Sequence, residues 1–497
     1  MFKFSLLPFL LILFLASSAF AAVPCESLTS LKLSNTTITT AVSVAPGGFT
    51  APGARGRGGA ANNPYANLPA FCRVAATLTP TSDSQIGIEV WMPASGWNNK
   101  LLAVGNGAWA GSISYNAMGP ALAQGYATTS TDTGHTGGAA TFVVDHPEKV
   151  IDFSYRAVHE MAVAAKAITA AFYNDRPRLS YFQGCSTGGR QALTAAQRYP
   201  QDFDGIIAGA TAVNSSKLHG TQVWVAQQSH RDEGSLIPQN KYAVLHDAVL
   251  QACDALDSVK DRVIENPRQC KFDPSVLLCR NGDAPTCLTA AQVETAKRVF
   301  RGPGLLSGYE YGSEGGWNGT LATPVGIAYD MYRYLVFNNP PWDYKTLNIE
   351  KDVALFDKTI GPMMNSSDTN LKPFFDRGGK LLMYHGWADP GIPAGNSVQY
   401  YSDVVKGMGG APRSSSSIRL FMLPGVGHCA GGDGPSTVDY LGALDQWRDK
   451  GKAPDSIPAS HSTNGVVDKT RPLCPYPQVA VYRGSGDTND AANFACK

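Results

Sequence analysis

Ser186 lies within Gly184-Cys185-Ser186-Thr187-Gly188, the G-x-S-x-G pattern in which a sharp strand-to-helix turn thrusts a serine hydroxyl outward. A hydroxyl becomes a useful nucleophile only when a base takes its proton and a third group orients that base. The chain offers both downstream. Asp389 ends the run His385-Gly386-Trp387-Ala388-Asp389, and His428 ends Pro424-Gly425-Val426-Gly427-His428. The chemistry would be acyl transfer through a covalent acyl-serine. The oxyanion would face the N–H of Thr187, the residue after the nucleophile, and a second N–H from the glycine-rich loop Gly105–Gly111, assigned to Gly107. His385 is the rival base, but it precedes Asp389 and is read as a pocket residue. The rival acids Asp433 and Asp439 follow His428.

Both reactive residues have a cysteine neighbour. A disulfide between Cys185 and Cys429 would pin His428 to Ser186 across nearly half of the chain, whereas a free Cys185 would itself be a candidate nucleophile. The ten cysteines suit an oxidising compartment. Local spacing suggests Cys253–Cys270, Cys279–Cys287 and Cys474–Cys496, and the remaining four would give Cys25–Cys72 and Cys185–Cys429, although sequence alone does not fix the pairing. Lys3, the apolar run Leu6–Ala16 and the small-x-small step Ala19-Phe20-Ala21 read as a signal peptide over residues 1–21, so the expected location is extracellular. No later stretch is apolar enough to span a membrane. Sequons at Asn35, Asn214, Asn318 and Asn365 fit a glycoprotein. A net charge of +1 with 16% charged residues leaves no basic surface for nucleic acid.

The elements needed to position these residues are legible in outline. Residues 22–75 read as irregular, with a surface loop over Pro46–Pro69. Alternating Ile86, Ile88, Val90 and Met92 predict a strand. Further strands are expected at Leu101–Val104, Tyr126–Ser130, Leu179–Phe182, Phe203–Ala208, Leu381–Tyr384 and Ile418–Leu423. Helices are expected at Tyr155–Tyr173, Gln191–Arg198, Ala243–Cys253, Thr289–Phe300 and Thr437–Trp447, and the C-terminal tail reads as irregular. Serine, acid and histidine then stand in the chain order of α/β-hydrolases, with Asp389 after one strand and His428 after the next, at the C-terminal edge of a parallel sheet. The expected fold is an α/β-hydrolase core over 22–212 and 366–497, with an inserted lid domain over 213–365.

One loop lies away from this chemistry. Asp254, Asp257 and Asp261 crowd between Cys253 and Cys270, and like charges this close need compensation. Oxygen ligands point to a hard cation such as Ca2+, with Val259 and Val263 supplying backbone carbonyls. The alternative is a solvated acidic loop softened by Lys260 and Arg262.

The combination Gly184-Cys185-Ser186-Thr187-Gly188-Gly189-Arg190, Asp389 and His428-Cys429 resembles the tannase/feruloyl esterase family of secreted fungal α/β-hydrolases, from about Cys25 to Cys496. Gly105-Asn106-Gly107, Asp204-Gly205-Ile206-Ile207-Ala208-Gly209-Ala210 and His385–Asp389 also match. The resemblance implies the disulfide Cys185–Cys429 with the four other pairs, and a structural Ca2+ in the lid held by Asp254, Asp257, Val259, Asp261 and Val263. Where the family has a Gly-Gly step after the asparagine, this chain has Gly107-Ala108. The family hydrolyses esters of plant phenolic acids, either hydroxycinnamoyl or galloyl, and one bacterial relative acts on a terephthalate monoester. The expectation is a secreted serine esterase cleaving feruloyl esters of cell-wall polysaccharides, with galloyl esters as the alternative. Its partner is a small phenolic ester or feruloylated oligosaccharide, and the Tyr- and Trp-containing segment Tyr309–Trp317 is read either as a ring-binding surface or as aromatic residues packing the lid to the core. A catalytically dead wall-binding protein and a serine peptidase are the competing classes.

Overall fold

The computed structural model describes residues 22–52 and 63–497. The signal peptide and the middle of the Pro46–Pro69 loop lie outside the described residues. Nine strands form one sheet in the order β1-β2-β3-β5-β4-β6-β7-β8-β9. They are β1 (Thr36–Val44), β2 (Phe71–Leu78), β3 (Ile86–Pro93), β4 (Lys100–Val104), β5 (Ala127–Thr131), β6 (Leu179–Cys185), β7 (Gly205–Gly209), β8 (Lys380–Gly386) and β9 (Ile418–Leu423). β1, β2, β3 and β5 pair antiparallel. From β5 through β4, β6, β7, β8 and β9 every pairing is parallel. Helices cover both faces, so the parallel strands are buried at nearly every position; β4 and β7 are buried throughout.

Alternation along each strand sorts its side chains between two layers. Leu101, Ala103, Phe182, Leu381 and Met383 face Met161, Ala165, Leu193 and Val398. Leu102, Val104, Tyr181, Leu382 and Tyr384 face Leu122, Leu444 and Trp447. Each fully buried side chain of this size contributes about 1.5–3 kcal/mol relative to exposure. The closing helix Tyr440–Lys450 is fixed under the sheet by Asp445, which pairs with Lys100 at 2.5 Å and accepts from the Tyr181 hydroxyl at 2.8 Å. This α/β-hydrolase architecture leaves the C-terminal ends of β4, β6, β8 and β9 on one rim.

Several expectations need correction. Residues 22–75 are not irregular, because β1 and β2 extend the sheet there. β1 is an edge strand with one buried position, and β2 buries alternate residues but fills them partly with Ala76 and Cys72, so neither carries a strong apolar signal. The C-terminal tail is also regular. Strands β10 (Thr437–Val438), β11 (Ile457–Thr463) and β12 (Val466–Leu473) form a second sheet, and β13 (Ala480–Tyr482) pairs with β14 (Phe494–Cys496). The last helix therefore starts at Tyr440, capped by Asp439, whose carboxylate accepts from Gly442 N–H at 2.8 Å. Helices Ser215–Ser229, Ile349–Thr359 and Gly395–Gly407 were not read from the sequence.

The long connection from β7 to β8 carries the helices Ser215–Ser229, Tyr242–Cys253, Ala290–Arg301 and Ile349–Thr359. It has an apolar cluster of its own, built on Val225, Leu245, Ala296 and Trp317, while its Tyr332 and Phe356 share a cluster with Trp109 and Phe153 of the core. Tyr309 and Trp317 are buried there, so this part of the expected ring-binding surface faces inward. No helix among the described residues is long and apolar enough to cross a membrane. All five disulfides form with the suggested pairing.

Candidate active site

Ser186 stands between β6 and the helix Thr187–Arg198 with φ 65° and ψ −121°. This left-handed backbone costs a non-glycine residue energy, and such residues cluster at functional sites. Ala108, Ala210 and Cys429, which surround it, also have positive φ. The turn closes only because side chains are missing: a Cβ on Gly184 would collide with the Gly188 carbonyl, and one on Gly105 would lie 2.8 Å from Gly188 Cα. Ser186 N–H donates to Gly209 O at 3.1 Å, which ties the elbow to β7.

Thr187 opens the helix, where the first N–H groups have no carbonyl one turn earlier, and its N–H has no acceptor among the described residues. Its hydroxyl donates to Ala108 O at 3.2 Å, joining the elbow to the Gly105–Gly111 loop. Asn106 braces that loop by donating from Nδ2 to Thr131 O at 2.8 Å and to Ser112 O at 3.1 Å. Gln191 on the elbow helix accepts from Asn106 N–H at 3.0 Å. A Cβ on Gly107 would meet nothing within 4 Å, so this backbone borders open space.

Asp389 lies three residues past β8 and is fully buried. Its Oδ1 accepts from the N–H groups of Gly391 at 2.8 Å and Ile392 at 2.9 Å. Its Oδ2 faces His428 Nδ1 at 2.7 Å and His385 Nε2 at 3.1 Å. His385 Nε2 also lies 3.1 Å from Ile392 O. With two acceptors at that nitrogen the proton belongs there, and His385 Nδ1 turns to Ser397 Oγ at 2.7 Å. His385 is therefore not a pocket residue. It is buried behind the acid as a second imidazole on the same carboxylate, an arrangement that chain order alone could not reveal. Burial pushes the Asp389 carboxyl up, but hydrogen bonds and charge from His385 and His428 outweigh it and hold the group below the usual range. Burial lowers the His428 pKa, while the hydrogen bond and charge of Asp389 raise it above the ordinary value.

The Cys185–Cys429 disulfide brings the neighbours of Ser186 and His428 to a Cα separation of 6.0 Å. Among the described residues no hydrogen bond joins Ser186 Oγ to His428, a contact that in free hydrolases is often long and tightens with substrate. The His428 side chain is 36% exposed. It borders a cavity of about 310 Å³ between the β7–β8 connection and the sheet rim, lined also by Trp387, Pro390, Tyr311 and Asp433.

The acidic loop follows the helix Tyr242–Cys253. Asp254 accepts from the N–H groups of Asp261 at 3.2 Å and Arg262 at 3.1 Å. Asp257 accepts from Val259 N–H at 2.9 Å, and Asp261 from Val263 N–H at 3.2 Å. Asp261 also pairs with Arg471 at 2.5 Å. Among the described residues no three His, Cys, Asp or Glu side chains converge at metal-ligand spacing. Burial, with repulsion from Asp261 and Asp254, pushes Asp257 up to about 6. Oxygen donors of this kind fit a hard cation in chemistry, while Arg471 and Lys469 already offset the charge of Asp261.

A family model described as tannase and feruloyl esterase matches residues 72–318 and 318–497. The chain belongs to this family. An uncharacterized esterase of Xanthomonas campestris pv. campestris is 36% identical over 543 residues, covering 97% of this chain and 92% of the relative. A probable feruloyl esterase B-1 of Aspergillus oryzae is 34% identical over 88% of this chain and 86% of its own length. The crystal structure of feruloyl esterase B from Aspergillus oryzae superimposes with a TM-score of 0.89 at 32% identity, covering 95% of this chain and 99% of that one. Tannin acyl hydrolase from Aspergillus niger shares the fold, with a TM-score of 0.79 at 22% identity. The protein is an esterase of the tannase and feruloyl esterase family.

The charge arrangement sets a sign for pH dependence. A reaction that uses the neutral His428 imidazole loses rate as the pH falls through its pKa, which Asp389 raises above 6.5. The acid limb of kcat/KM for ester hydrolysis is therefore expected above pH 6.5. A limb lying wholly below that value would show that Asp389 does not hold the imidazolium.

Proposed function

We propose that this esterase hydrolyses feruloyl and related hydroxycinnamoyl esters of plant cell-wall carbohydrate through Ser186, His428 and Asp389. The observation that carries the reading is the likeness over nearly the full length to a feruloyl esterase B at 32% identity. The Asp389–His428 pair supports the mechanism. His428, oriented through Nδ1 by Asp389, takes the Ser186 proton from its Nε2 side. Ser186 Oγ attacks the ester carbonyl, and the oxyanion faces the free Thr187 N–H and the Gly107 backbone. His428 returns the proton to the departing alcohol oxygen, leaving a feruloyl-serine. Water, deprotonated by His428, attacks this acyl-enzyme and releases ferulic acid and free Ser186.

Residues 213–365 act as a lid over this rim in our reading, supported by a cavity that both parts line. Export to an oxidising compartment is supported by five disulfides. Of the four sequons, Asn35 and Asn318 are exposed, whereas Asn214 caps a helix and Asn365 bonds Ser216 N–H and Asp357; the first two are the better glycan sites. Asp254, Asp257 and Asp261, with the carbonyls of Val259 and Val263, would hold Ca2+. Its contribution would be structural, neutralising the loop that joins the lid to β12 through Arg471.

Turnover of methyl ferulate, methyl caffeate and methyl gallate tests the acyl class. Methyl ferulate and methyl caffeate are expected to be hydrolysed well above methyl gallate, with Ser186→Ala folded and almost inactive. Preference for methyl gallate would make the enzyme a tannase, and near-normal turnover by Ser186→Ala would remove the serine mechanism. For the metal loop, the purified protein is expected to carry calcium and to lose several degrees of Tm in EDTA, regained on adding Ca2+. An unchanged Tm together with no bound calcium would leave a plain acidic loop.

A further inference from the structure

Residues 132–138, just after β5, form a loop that clasps the Gly105–Gly111 loop. Gly111 N–H donates to Gly137 O at 2.7 Å, and Gly137 N–H donates back to Gly111 O at 3.0 Å. Beyond this bridge, His135 Nε2 lies 2.7 Å from Trp109 O. A carbonyl only accepts, so Nε2 carries a proton. The His135 ring is buried and stacks on Phe142 with centroids 3.7 Å apart. Trp109 packs on the same Phe142 and on Phe153. Burial holds the His135 pKa below the ordinary histidine value, so near neutral pH the ring is uncharged and this N–H is its single donor.

The His135 bond acts on the crest of the oxyanion loop. Gly107 O accepts from Ala110 N–H at 2.8 Å, which closes a four-residue turn. Ala108 stands in that turn with φ 44°. A left-handed backbone at a residue with a Cβ is costly and persists only where its surroundings impose it. Among the described residues, two side chains from outside the loop donate to the crest. Thr187 donates from its hydroxyl to Ala108 O at 3.2 Å, and His135 donates to Trp109 O. The first bond ties the crest to the elbow helix, and the second ties it to the segment leaving β5. Trp109 O and Ala110 N–H belong to one planar peptide. By holding the oxygen, His135 fixes the plane whose N–H anchors Gly107. The N–H groups of Gly107 and Ala108 themselves have no acceptor among the described residues.

We propose that His135 is a positioning residue for the second oxyanion donor: through Trp109 O it fixes the Trp109–Ala110 peptide, and with it the Gly107 backbone next to the elbow. The proposal rests on the serine mechanism and the Gly107 assignment above, and deepens them.

The experiment measures kcat and KM for methyl ferulate, and Ki for ferulic acid and for trifluoroacetophenone, in the wild type, His135→Leu, His135→Asn and His135→Gln. The ketone carbon bonds to Ser186 Oγ, the serine proton passes to His428, and the carbonyl electron pair becomes an oxyanion. Its Ki therefore reads the oxyanion donors, whereas ferulic acid reads binding alone. Glutamine carries an amide N–H as many bonds from Cβ as His135 Nε2, and asparagine falls one bond short. Loss of one oxyanion donor costs about 100- to 1000-fold, so displacement of one is expected to lower kcat about 10- to 100-fold in His135→Leu and His135→Asn. KM and the ferulic acid Ki are expected to stay within about threefold of the wild type. The ketone Ki is expected to rise by the factor that kcat/KM falls, and His135→Gln to recover most of the rate. His135→Asn serves if the leucine variant does not fold. Unchanged kcat in both variants would overturn the proposal, and so would lost rate with an unchanged ketone Ki, the sign of a merely structural role. A glutamine variant as poor as leucine would remove the hydrogen bond from the account. A wild type that neither cleaves methyl ferulate nor binds the ketone would instead contradict the serine-esterase reading itself.

Discussion

The covalent bond between Cys185 and Cys429 is the constraint on which the site depends. Ser186 follows β6, and His428 is carried on a loop after β9, three strands further out in the sheet. Between them the chain runs through the elbow helix, the whole β7–β8 connection and the core helix Gly395–Gly407. Loops at a sheet rim are the parts of a fold most free to move. A cross-link over a sequence separation of 244 residues removes that freedom between the two residues proposed to carry the chemistry. In the chain-entropy account a loop this long also contributes about 5 kcal/mol to stability. The positive φ of both Ser186 and Cys429 indicates backbones bent to meet each other.

Asp389 completes the arrangement. A buried carboxylate is costly unless its lone pairs are used. Here two backbone N–H groups hold one oxygen and two imidazoles address the other. His385 is in turn held by Ser397, whose hydroxyl meets that of Thr211 at 2.5 Å, just past the end of β7. The acid is thus positioned from β7, β8 and the helix Gly395–Gly407 together. The result is an ionised group that orients His428 without itself needing to take a proton.

Much of this was legible in the sequence, for physical reasons. Parallel strands buried on both faces leave unbroken apolar runs, as at Leu101–Val104 and Leu420–Leu423, and the elbow leaves its glycines. The order serine, aspartate, histidine and the local spacing of cysteines are one-dimensional facts. What escaped reading lacks such a signature. β1 and β2 bury few large side chains. The helix Ser215–Ser229 is buried on nearly every side, with His219, Gly220 and Gln222 among its inward residues, so no apolar stripe marks it. Trp317 reads equally as ring-binding surface or as packing, because aromatic residues read alike whether they face a cavity or a core, and the fold places it in the core of the connection. The contribution of His385 is purely spatial, since it precedes Asp389 in the chain but stands behind it in the fold.

The central claim is that the cross-link holds His428 in working position against Ser186. It is tested most directly by the kinetics of the double variant Cys185→Ala/Cys429→Ala on methyl ferulate, alongside its unfolding curve. A small displacement of a catalytic group can cost about a hundredfold in rate, so the account predicts a kcat loss of about 10- to 100-fold with KM less affected and a lower Tm. A double variant equal to the parent in both rate and stability would contradict it.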